Sequence, residues 1–339
     1  MCLRQSRPVR RALVIVLALA LAVTGVAAAK KKHHRGKQPR GPYPTLGSCQ
    51  VFPNAASGGP SAADEAAWNQ DISRSPLDPN SANYIAYISA HGGDSVHPDF
   101  GSPREYGFPY AVVGKKQKRT KVHFTAYGDE STHGAYRVPL NALVEGGQGS
   151  DGDRHVLAVD RKRCKLYELY RAFAQKGPKP HWNADGAVIW DLRSGALRPD
   201  GFTSADAAGL PIFPGLARYD EAASGAIHHA LRVTVSSTRD AWVHPASHCA
   251  GDSSNPSAPP MGLRLRLNGG YDISGFSGTA RAIAVALKQY GLIVADNGSN
   301  WFISGTSDRR WPDENLDQLK SIPGSAFEVV QSAAPIHPC

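Results

Sequence analysis

The chain has 339 residues, with 34 Gly, 25 Pro and five Cys, and a formal net charge of +9. Ten of its 38 Lys and Arg residues lie within residues 1–40, which contain no acidic residue. The rest of the chain therefore contains 28 basic and 29 acidic residues. The part beyond Arg40 is therefore nearly neutral, which argues against a nucleic-acid-binding domain. We expect no nucleic acid among its partners.

The N-terminal segment has the order of regions found in a secretory signal peptide. Four arginines precede an apolar run over residues 12–23, and small residues follow at positions 26–29. The run is shorter than the roughly 20 residues that a membrane-spanning helix needs, although a retained membrane anchor is the alternative. We predict a signal peptide over residues 1–29, a basic and Pro/Gly-rich disordered tail over 30–63, and a single β-rich domain over 64–339. The expected location is secreted, periplasmic or at the cell envelope, with no membrane span after signal cleavage.

Short apolar and β-branched runs recur along the domain, separated by Gly, Pro, Asn and Asp. This pattern favours a fold built from sheets. We predict a mainly β protein, an antiparallel two-sheet sandwich that is jelly-roll-like, with one or two peripheral helices. The ten runs cover residues 84–89, 110–114, 121–127, 155–160, 165–173, 186–192, 230–237, 262–268, 292–296 and 301–305.

Two of these runs give more detailed predictions. The run LRLRL, residues 263–267, alternates strictly, so its leucines should face the core and its arginines should face solvent. The dipeptide Asn297-Gly298 lies between the last two runs and predicts a type I′ β-hairpin, because both residues can adopt positive φ.

Helical periodicity is clearest over residues 277–291. Ser277 is a candidate N-cap, apolar residues follow at three- and four-residue spacing, and Gly291 ends the segment. A second short helix is predicted over residues 313–321. The run KLYELYRAFAQK, residues 165–176, fits either a strand or a helix, and the sequence leaves both open.

Four cysteines remain once Cys2 is lost with the signal peptide: Cys49, Cys164, Cys249 and Cys339. They contain no C-x-x-C pair, so a zinc ribbon or a thioredoxin-like site is not expected. An exported protein with four scattered cysteines favours two disulfides over four free thiols, and three pairings are possible. Because Cys49 and Cys339 lie at the two ends of the domain, we predict the pairs Cys49–Cys339 and Cys164–Cys249.

Several signatures of common enzyme classes are missing from the sequence. It has no G-x-S-x-G elbow, P-loop, G-x-G-x-x-G, H-E-x-x-H or EF-hand loop. Carboxylates offer another route, because glycoside hydrolysis needs one protonated and one ionised acid facing each other across a cleft. Candidate acids lie at strand ends or in stiff loops, at Asp160, Asp191, Asp206, Asp220, Glu221 and Asp296.

The segment 190–229 has the highest density of aromatic and acidic candidates. Aromatic rings beside acids suit a sugar site, since rings stack on pyranose faces while carboxylates hold hydroxyl groups. The predicted catalytic acids are Asp191, Asp206 and Glu221. The predicted substrate-binding residues are Trp190, Arg218, Tyr219, Asp220 and His229. Each acid taken singly could instead be a turn or capping residue.

Histidines offer a metal-dependent alternative. His228 and His229 precede a strand, whereas His244 and His248 are four residues apart in a segment that Pro245 makes a loop rather than a helix. Four-residue spacing aligns two ligands only on a helix, so these histidines do not form a recognisable metal motif. We predict no bound metal and no cofactor.

Several long strings resemble a family of exported bacterial proteins. The resemblance implies one continuous domain from about residue 64 to the end. It implies no activity and no functional residues. The strings that carry it are WNQDISRSPLDPNSANYI (68–85), GDRHVLAVDRKRCKLYELY (152–170), GFTSADAAGLPIFPGLARYDEAASGAIHHALRVTV (201–235), PPMGLRLRL (259–267) and GLIVADNGSNWFISG (291–305).

Together these features predict a secreted carbohydrate-active protein, a polysaccharide hydrolase that uses a carboxylate pair. One alternative is a non-catalytic glycan-binding or cell-envelope-associated module, which would use the same aromatic and acidic residues without needing two carboxyl groups close together. A metal-dependent hydrolase built on the histidines is the other. The expected partner is a polysaccharide or a cell-envelope glycan, and we expect a monomer.

Overall fold

A computed structural model of the chain describes Leu46, Cys49, Val51 and residues 67–101, 106–332 and 336–339. The predicted signal peptide lies outside the described residues, and so does the predicted tail apart from Leu46, Cys49 and Val51. Strand residues outnumber helical residues in the described part, which confirms a mainly β protein. Its strands are β1 Tyr110–Val113, β2 Lys121–Phe124, β3 Val156–Asp160, β4 Lys165–Tyr170, β5 Phe173–Gln175, β6 His181–Ala184, β7 Gly186–Asp191, β8 Leu231–Val235, β9 Ala241–Val243, β10 Arg264–Leu267, β11 Leu292–Asn297, β12 Phe302–Ile303, β13 Phe327–Val329 and β14 Ile336–Pro338.

The strands form four sheets. The two larger ones have the orders β1-β3-β4-β7 and β12-β8-β11-β10-β13, and the smaller ones are β14-β9 and β2-β6-β5. Three pairs are parallel, namely β1 with β3, β2 with β6, and β8 with β11. The sheets are therefore mixed rather than purely antiparallel, and the predicted two-sheet sandwich stays a prediction.

Both faces of the four-stranded sheet are covered. Leu157 and Val159 of β3 belong to the large core cluster, which also contains most of the apolar residues of the five-stranded sheet. Val156 and Ala158, on the opposite face of β3, belong to a second cluster. Strands covered on both faces read as continuous apolar runs, and all five residues of β3 are buried.

Helices are few in the part of the chain that the structure describes, as the sequence predicts. The predicted helix over residues 277–291 is confirmed, and Gly291 follows it with φ of +73°, a conformation that suits glycine. The second predicted helix is also confirmed, although its second half is a 3₁₀ turn over Asp317–Ser321. The ambiguous run at 165–176 forms strands β4 and β5. Among the described residues the helices are α1 Ser81–Ala90, α2 Tyr219–Ala223, α3 Gly278–Gln289 and α4 Asp313–Leu316, with further 3₁₀ turns at Phe213–Gly215 and Gly324–Ala326.

Two local predictions are wrong. The run at 84–89 lies in helix α1, where Tyr84 and Ile88, four residues apart, are the buried side chains. The dipeptide Asn297-Gly298 does not close a hairpin, because β12 pairs with β8 instead of β11.

In the alternating run LRLRL of β10, the prediction that the leucines face the core is confirmed, but the prediction that both arginines face solvent is not. Leu263, Leu265 and Leu267 are buried. Arg266 is buried as well, and it donates to Glu328 Oε1 at 2.7 Å and to the Ile72 carbonyl. The predicted solvent face of β10 is thus covered by the segment around Ile72.

The disulfides join Cys49 to Cys164 and Cys249 to Cys339. The predicted pairing Cys49–Cys339 and Cys164–Cys249 is therefore wrong, although the prediction of two disulfides is confirmed. The Cα atoms of the two pairs are 5.3 and 6.5 Å apart, within the range that a disulfide spans. Two disulfides fit a protein that folds in an oxidising compartment. Within residues 67–101, 106–332 and 336–339, no helix combines the length and apolar character needed to cross a membrane.

Candidate active site

A cleft of about 210 Å³ draws its walls from both large sheets and the loops beside them. Tyr170 ends β4 and Asp296 lies near the end of β11, so each sheet contributes the terminus of a strand. Among the three predicted catalytic acids, Asp206 alone lines this cleft. The lining residues are Tyr127, Asp153, His155, Tyr170, Thr203, Ser204, Ala205, Asp206, Ala207, His248, Ala250 and Asp296.

Asp206 lies in the loop before α2 and has a completely buried side chain. Its Oδ1 accepts a hydrogen bond from Arg232 of β8, whose side chain is 3% exposed. Asp206 Oδ2 has no hydrogen-bond partner among the described residues. Burial raises the pKa of Asp206 to about 7, against the opposing attraction of Arg232, and the nearby Asp296 carboxyl adds to the rise. Close to neutral pH, part of the Asp206 population therefore carries a proton.

His155, directly before β3, is held by acceptors on both ring nitrogens. Its Nδ1 lies 2.5 Å from Glu145 Oε2, and its Nε2 lies 2.8 Å from the Ala205 carbonyl oxygen. Since a carbonyl and a carboxylate only accept hydrogen bonds, this geometry fits a doubly protonated imidazolium. Burial would lower the pKa of His155, but the Glu145 carboxylate outweighs it and raises this pKa to about 9.

Glu168 of β4 is a second fully buried carboxyl near the cleft. It accepts hydrogen bonds from the backbone amides of Ile212 and Phe213 and from Trp190 Nε1, at 2.9 to 3.1 Å. These donors fix the start of the 3₁₀ turn against β4. Burial nevertheless raises the pKa of Glu168 to about 7.

Asp296 is the member of this group that is half-exposed in the cleft. Its Oδ1 accepts a hydrogen bond from the Asn297 amide at 2.8 Å. Burial raises the pKa of Asp296, although Arg232 and His155 both act in the opposite direction, and Asp153 adds to the rise.

Carboxyl groups outnumber cations in this cluster. Arg232 and His155 are the two cations that act on its acids. Two positive charges can balance only two ionised carboxylates, so the remaining acids hold protons more tightly than they would in water. The four acids are Glu145, Glu168, Asp206 and Asp296.

The backbone beside the cleft adopts two uncommon conformations. Arg154 and Arg171 have φ of +52° and +48°, which costs a residue with a Cβ atom about 1–2 kcal/mol. The Arg154 side chain compensates by donating to the carbonyls of Gln148, Ser150 and Ala172 at 2.6 to 3.2 Å. Strained backbone of this kind is enriched at functional sites.

The other two predicted catalytic acids are neutralised elsewhere. Asp191, at the end of β7, accepts hydrogen bonds from Lys165 and Arg193. Burial alone would raise the pKa of Asp191, but the hydrogen bonds and charges of Lys165 and Arg193 together outweigh it and lower this pKa to about 2. Glu221 of α2 is bound by Arg218 at 2.5 Å and His229 at 3.2 Å, which lower its pKa to about 2 despite burial. Neither acid lines the cleft.

The predicted substrate-binding residues make their contacts with neighbouring groups of the protein. Trp190, Arg218 and His229 are buried and are bonded to neighbouring groups of the protein. Tyr219 and Asp220 both contact Arg310, the first through its ring at 4.4 Å and the second through a 2.7 Å ion pair. Around α2, the aromatic and acidic residues of segment 190–229 therefore belong to ion pairs with Arg218, His229 and Arg310.

The four histidines considered as metal ligands are separated. His228 contacts the Tyr290 hydroxyl, His229 contacts Glu221, and His248 contacts the Ala207 carbonyl. His244 lies 3.0 Å from Asp200. Among the described residues, no group able to hold a metal contains two of these four.

The site residues predicted from the sequence do not include five residues in or beside this cleft: Asp153, His155, Arg232, Glu145 and Glu168. One local signal points to the first two: they are polar residues directly before β3, which is apolar except at its end. The pairing of Asp206 with Arg232, which are 26 residues apart, has no comparable signal. No protein-family model, curated protein or solved structure matches the chain. What the cleft can do therefore follows from the chemistry of its own residues.

Proposed function

We propose that the protein is a secreted glycan hydrolase in which Asp296 is the general acid. The observation that supports this most directly is a half-exposed carboxyl of raised pKa that lines a cleft, next to a buried cluster with more acids than cations. A general acid must hold a proton near the working pH, and burial beside other acids is the usual way to achieve this. The two disulfides support the export of the protein.

Asp153 is the second carboxylate of the proposed mechanism. It is exposed, it lines the same cleft, and its charge contributes to the raised pKa of Asp296. Asp296 donates its proton to the leaving glycosidic oxygen as the bond to the anomeric carbon breaks. Asp153 either removes a proton from the attacking water or attacks the anomeric carbon itself, and these two routes give opposite anomers.

The cleft also offers contacts suited to a sugar. Tyr127 is 44% exposed, and its ring centroid lies 6.5 Å from that of Tyr170. Rings of this kind can stack on a pyranose face, while Thr203 and Ser204 add hydroxyl groups to the wall. The volume is below the roughly 300–1,000 Å³ of pockets that enclose drug-sized ligands, so we expect one sugar unit to enter.

The segments that carry the family resemblance contribute much of this cleft. Residues 152–170 supply Asp153, His155 and Tyr170, and residues 291–305 supply Asp296. The loop residues 203–207 lie in a third such string. The resemblance itself implies no activity and no functional residues, so the proposal rests on the geometry and charges of the cleft.

The test is a screen of the purified protein against plant and microbial polysaccharides, with reducing ends and retention on insoluble polymer both measured. D296N and D153N should each lower the rate of reducing-end release by about 10²- to 10⁴-fold, as expected for loss of an acid or base. D191N is the matched control, because Asp191 is an ion-paired carboxylate outside the cleft. Its rate should stay within about twofold of the wild-type rate.

Two outcomes and one control decide the proposal. Release that persists in D296N would show that Asp296 is not the general acid. Retention on polymer without any release would favour the non-catalytic glycan-binding module. Thermal unfolding of each variant separates loss of chemistry from loss of fold, and the D296N side chain would still offer an oxygen acceptor to the Asn297 amide.

A further inference from the structure

We propose that Asp200, His244 and His337 bind a divalent transition-metal ion such as Zn²⁺. One ligand atom from each residue lies within 4.8 Å of the other two. His244 Nε2 and Asp200 Oδ1 are already 3.0 Å apart. Two imidazoles and one carboxylate form a ligand set that proteins use for zinc.

His337 provides a separate observation in favour of a ligand. Its Nε2 atom is buried and has no hydrogen-bond partner among the described residues. A buried polar atom without a partner destabilises the folded state. A metal ion bound to this nitrogen would remove that destabilisation.

The fold holds the two histidines close together. His337 lies in β14 and pairs with Trp242 of β9, while His244 directly follows β9. The two imidazole centroids are 5.6 Å apart. The disulfide between Cys249 and Cys339 ties the end of β14 to the same region. The main adjustment needed for binding is therefore in side-chain torsions.

Trp242 forms one wall of the proposed metal site. Its indole stacks on the His337 ring with a centroid distance of 4.1 Å and an angle of 5°, and it lies 5.3 Å from the His244 ring. Contacts of this kind restrict both imidazoles. They also make Trp242 an internal reporter for a bound paramagnetic ion.

The ligand chemistry selects the class of metal. Zinc bonds of about 2.0–2.1 Å in tetrahedral geometry place ligand atoms about 3.4 Å apart, so the three side chains need only close slightly around the ion. Imidazole nitrogen favours Zn²⁺, Ni²⁺ or Cu²⁺ over Mg²⁺ and Ca²⁺. The neighbouring group of Asp240, Cys249 and Cys339 is a poorer candidate, because both of its sulfur atoms are in a disulfide.

Zinc titration of the full chain after removal of metals by EDTA and dialysis tests this proposal. Calorimetry should show one equivalent of Zn²⁺ bound at this site, and zinc should raise the melting temperature, whereas Mg²⁺ should do neither. His33 and His34 are adjacent imidazoles in the basic N-terminal sequence and can bind zinc on their own, so the titration is made in an H33A/H34A background. Loss of all binding in that background would overturn the proposal.

Single variants then locate the ion. H337A and H244A should each weaken zinc binding by at least about tenfold, while H91A, which removes an exposed histidine at the end of α1, should leave it unchanged. Equal melting temperatures of H337A and the parent in EDTA would show that the fold is intact, and H337Q provides a second, more conservative variant. Unchanged affinity in both position-337 variants would overturn the proposal.

Fluorescence gives an independent measurement of position. Cu²⁺ should quench tryptophan emission in the parent chain, and W242F should lose most of this quenching while still binding zinc at one equivalent. Quenching that is equal in W242F and the parent would place the copper elsewhere and contradict the site.

Discussion

Asp206 and Glu168 should make the stability of the protein depend on pH in an unusual direction. Burial raises the pKa of each to about 7, whereas unfolded Asp and Glu titrate near pH 4. The folded state therefore retains protons that the unfolded chain has released. Stability from these groups is fully present below about pH 4 and is lost as the pH rises through 7.

The variant D206N tests this dependence. The stability of D206N relative to the wild type should rise by about 2–4 kcal/mol between pH 5 and pH 8, because the wild type loses about 1.4 kcal/mol for each pH unit up to the folded pKa. Chemical denaturation at several pH values between 4.5 and 8.5 gives the free energy of unfolding. If the free energy of unfolding changes with pH in the same way for both proteins, Asp206 is ionised over the whole range and forms an ion pair with Arg232.

The pair of His155 and Glu145 predicts a second pH effect. Because the pKa of His155 is raised to about 9, its contribution to stability is fully present below about pH 6.5 and is lost as the pH rises through 9. E145Q removes the attraction, so it should be less stable than the wild type by about 1–3 kcal/mol at pH 6.5, with the gap closing by pH 10. Chemical denaturation across this range measures the gap, and E314Q, at an exposed position of α4, is the control. A gap that does not change with pH would contradict the imidazolium assignment.

Acids can be identified as candidates from the sequence, but the cations that neutralise them cannot. Asp206 and Asp296 are both candidates by their positions in loops and at strand ends, and the structure brings both to the cleft. Asp191 and Glu221 carry the same local signals. They differ from Asp206 and Asp296 in their pKa values, which are lowered because Lys165 lies beside Asp191 and Arg218 beside Glu221. The contact of Asp191 with Lys165 depends on the pairing of β4 with β7.

At the scale of elements, helix α3 is capped by a residue from another helix. Asn315 Oδ1 accepts hydrogen bonds from the Ala280 amide at 2.9 Å and the Thr279 hydroxyl at 2.7 Å, and its Nδ2 donates to the Ser277 carbonyl at 2.9 Å. Ser277, the N-cap that the sequence predicts, makes no side-chain capping bond. The amide of Asn315 therefore takes the role of an N-cap and also joins α4 to α3.

N315A should consequently destabilise the protein by about 1–2 kcal/mol, the usual cost of losing an N-cap. N315D should lose less, because it keeps the acceptor and places a negative charge at the helix N-terminus. S277A should cost below about 0.5 kcal/mol, since its side chain makes no capping bond. Equilibrium urea unfolding ranks the three variants, and a larger loss in S277A than in N315A would show that the local cap dominates.

Elements fixed by local signals are predicted better than elements fixed by distant contacts. Helix α3 has a periodic apolar face and a terminal glycine, both visible in one short stretch of sequence. The hairpin at Asn297-Gly298 fails because Trp301 has φ of +64° and its amide donates to Thr234 of β8, so the chain crosses to the other side of β8. The apolar run at 84–89 is too short to distinguish the periods of strand and helix.

At the scale of the whole molecule, the sequence predicts the class of fold but not the sheet order. Turn residues between short apolar runs are enough to indicate a mainly β protein. The parallel pairs β1/β3 and β8/β11 join segments separated by 42 residues or more, and parallel pairs require long crossover connections that leave no local pattern. The cleft depends on this order, because its residues come from the ends of strands in different sheets.

The pairing of the disulfides can be checked directly, because the position of Cys49 and Cys339 at the two ends of the domain indicates the wrong partners. Protease digestion without reduction, followed by mass spectrometry, should yield peptides that link Cys49 to Cys164 and Cys249 to Cys339. These bonds close loops of 115 and 90 residues, so removing either pair with serine should cost up to about 4–5 kcal/mol in the chain-entropy model. A peptide linking Cys49 to Cys339 would contradict the pairing.

The two bonds constrain different parts of the molecule, so their loss should be distinguishable. Cys164 lies in the turn between β3 and β4, and Cys49 belongs to the large core cluster. Cys339 instead ends the segment that carries β14 and His337. C49S/C164S should therefore lower the melting temperature without changing zinc affinity, whereas C249S/C339S should lower both, since it removes the covalent bond at the end of β14 and leaves only the pairing with β9. Calorimetry with Zn²⁺ on both double variants makes the comparison, and equal zinc affinities would show that strand pairing alone positions His337.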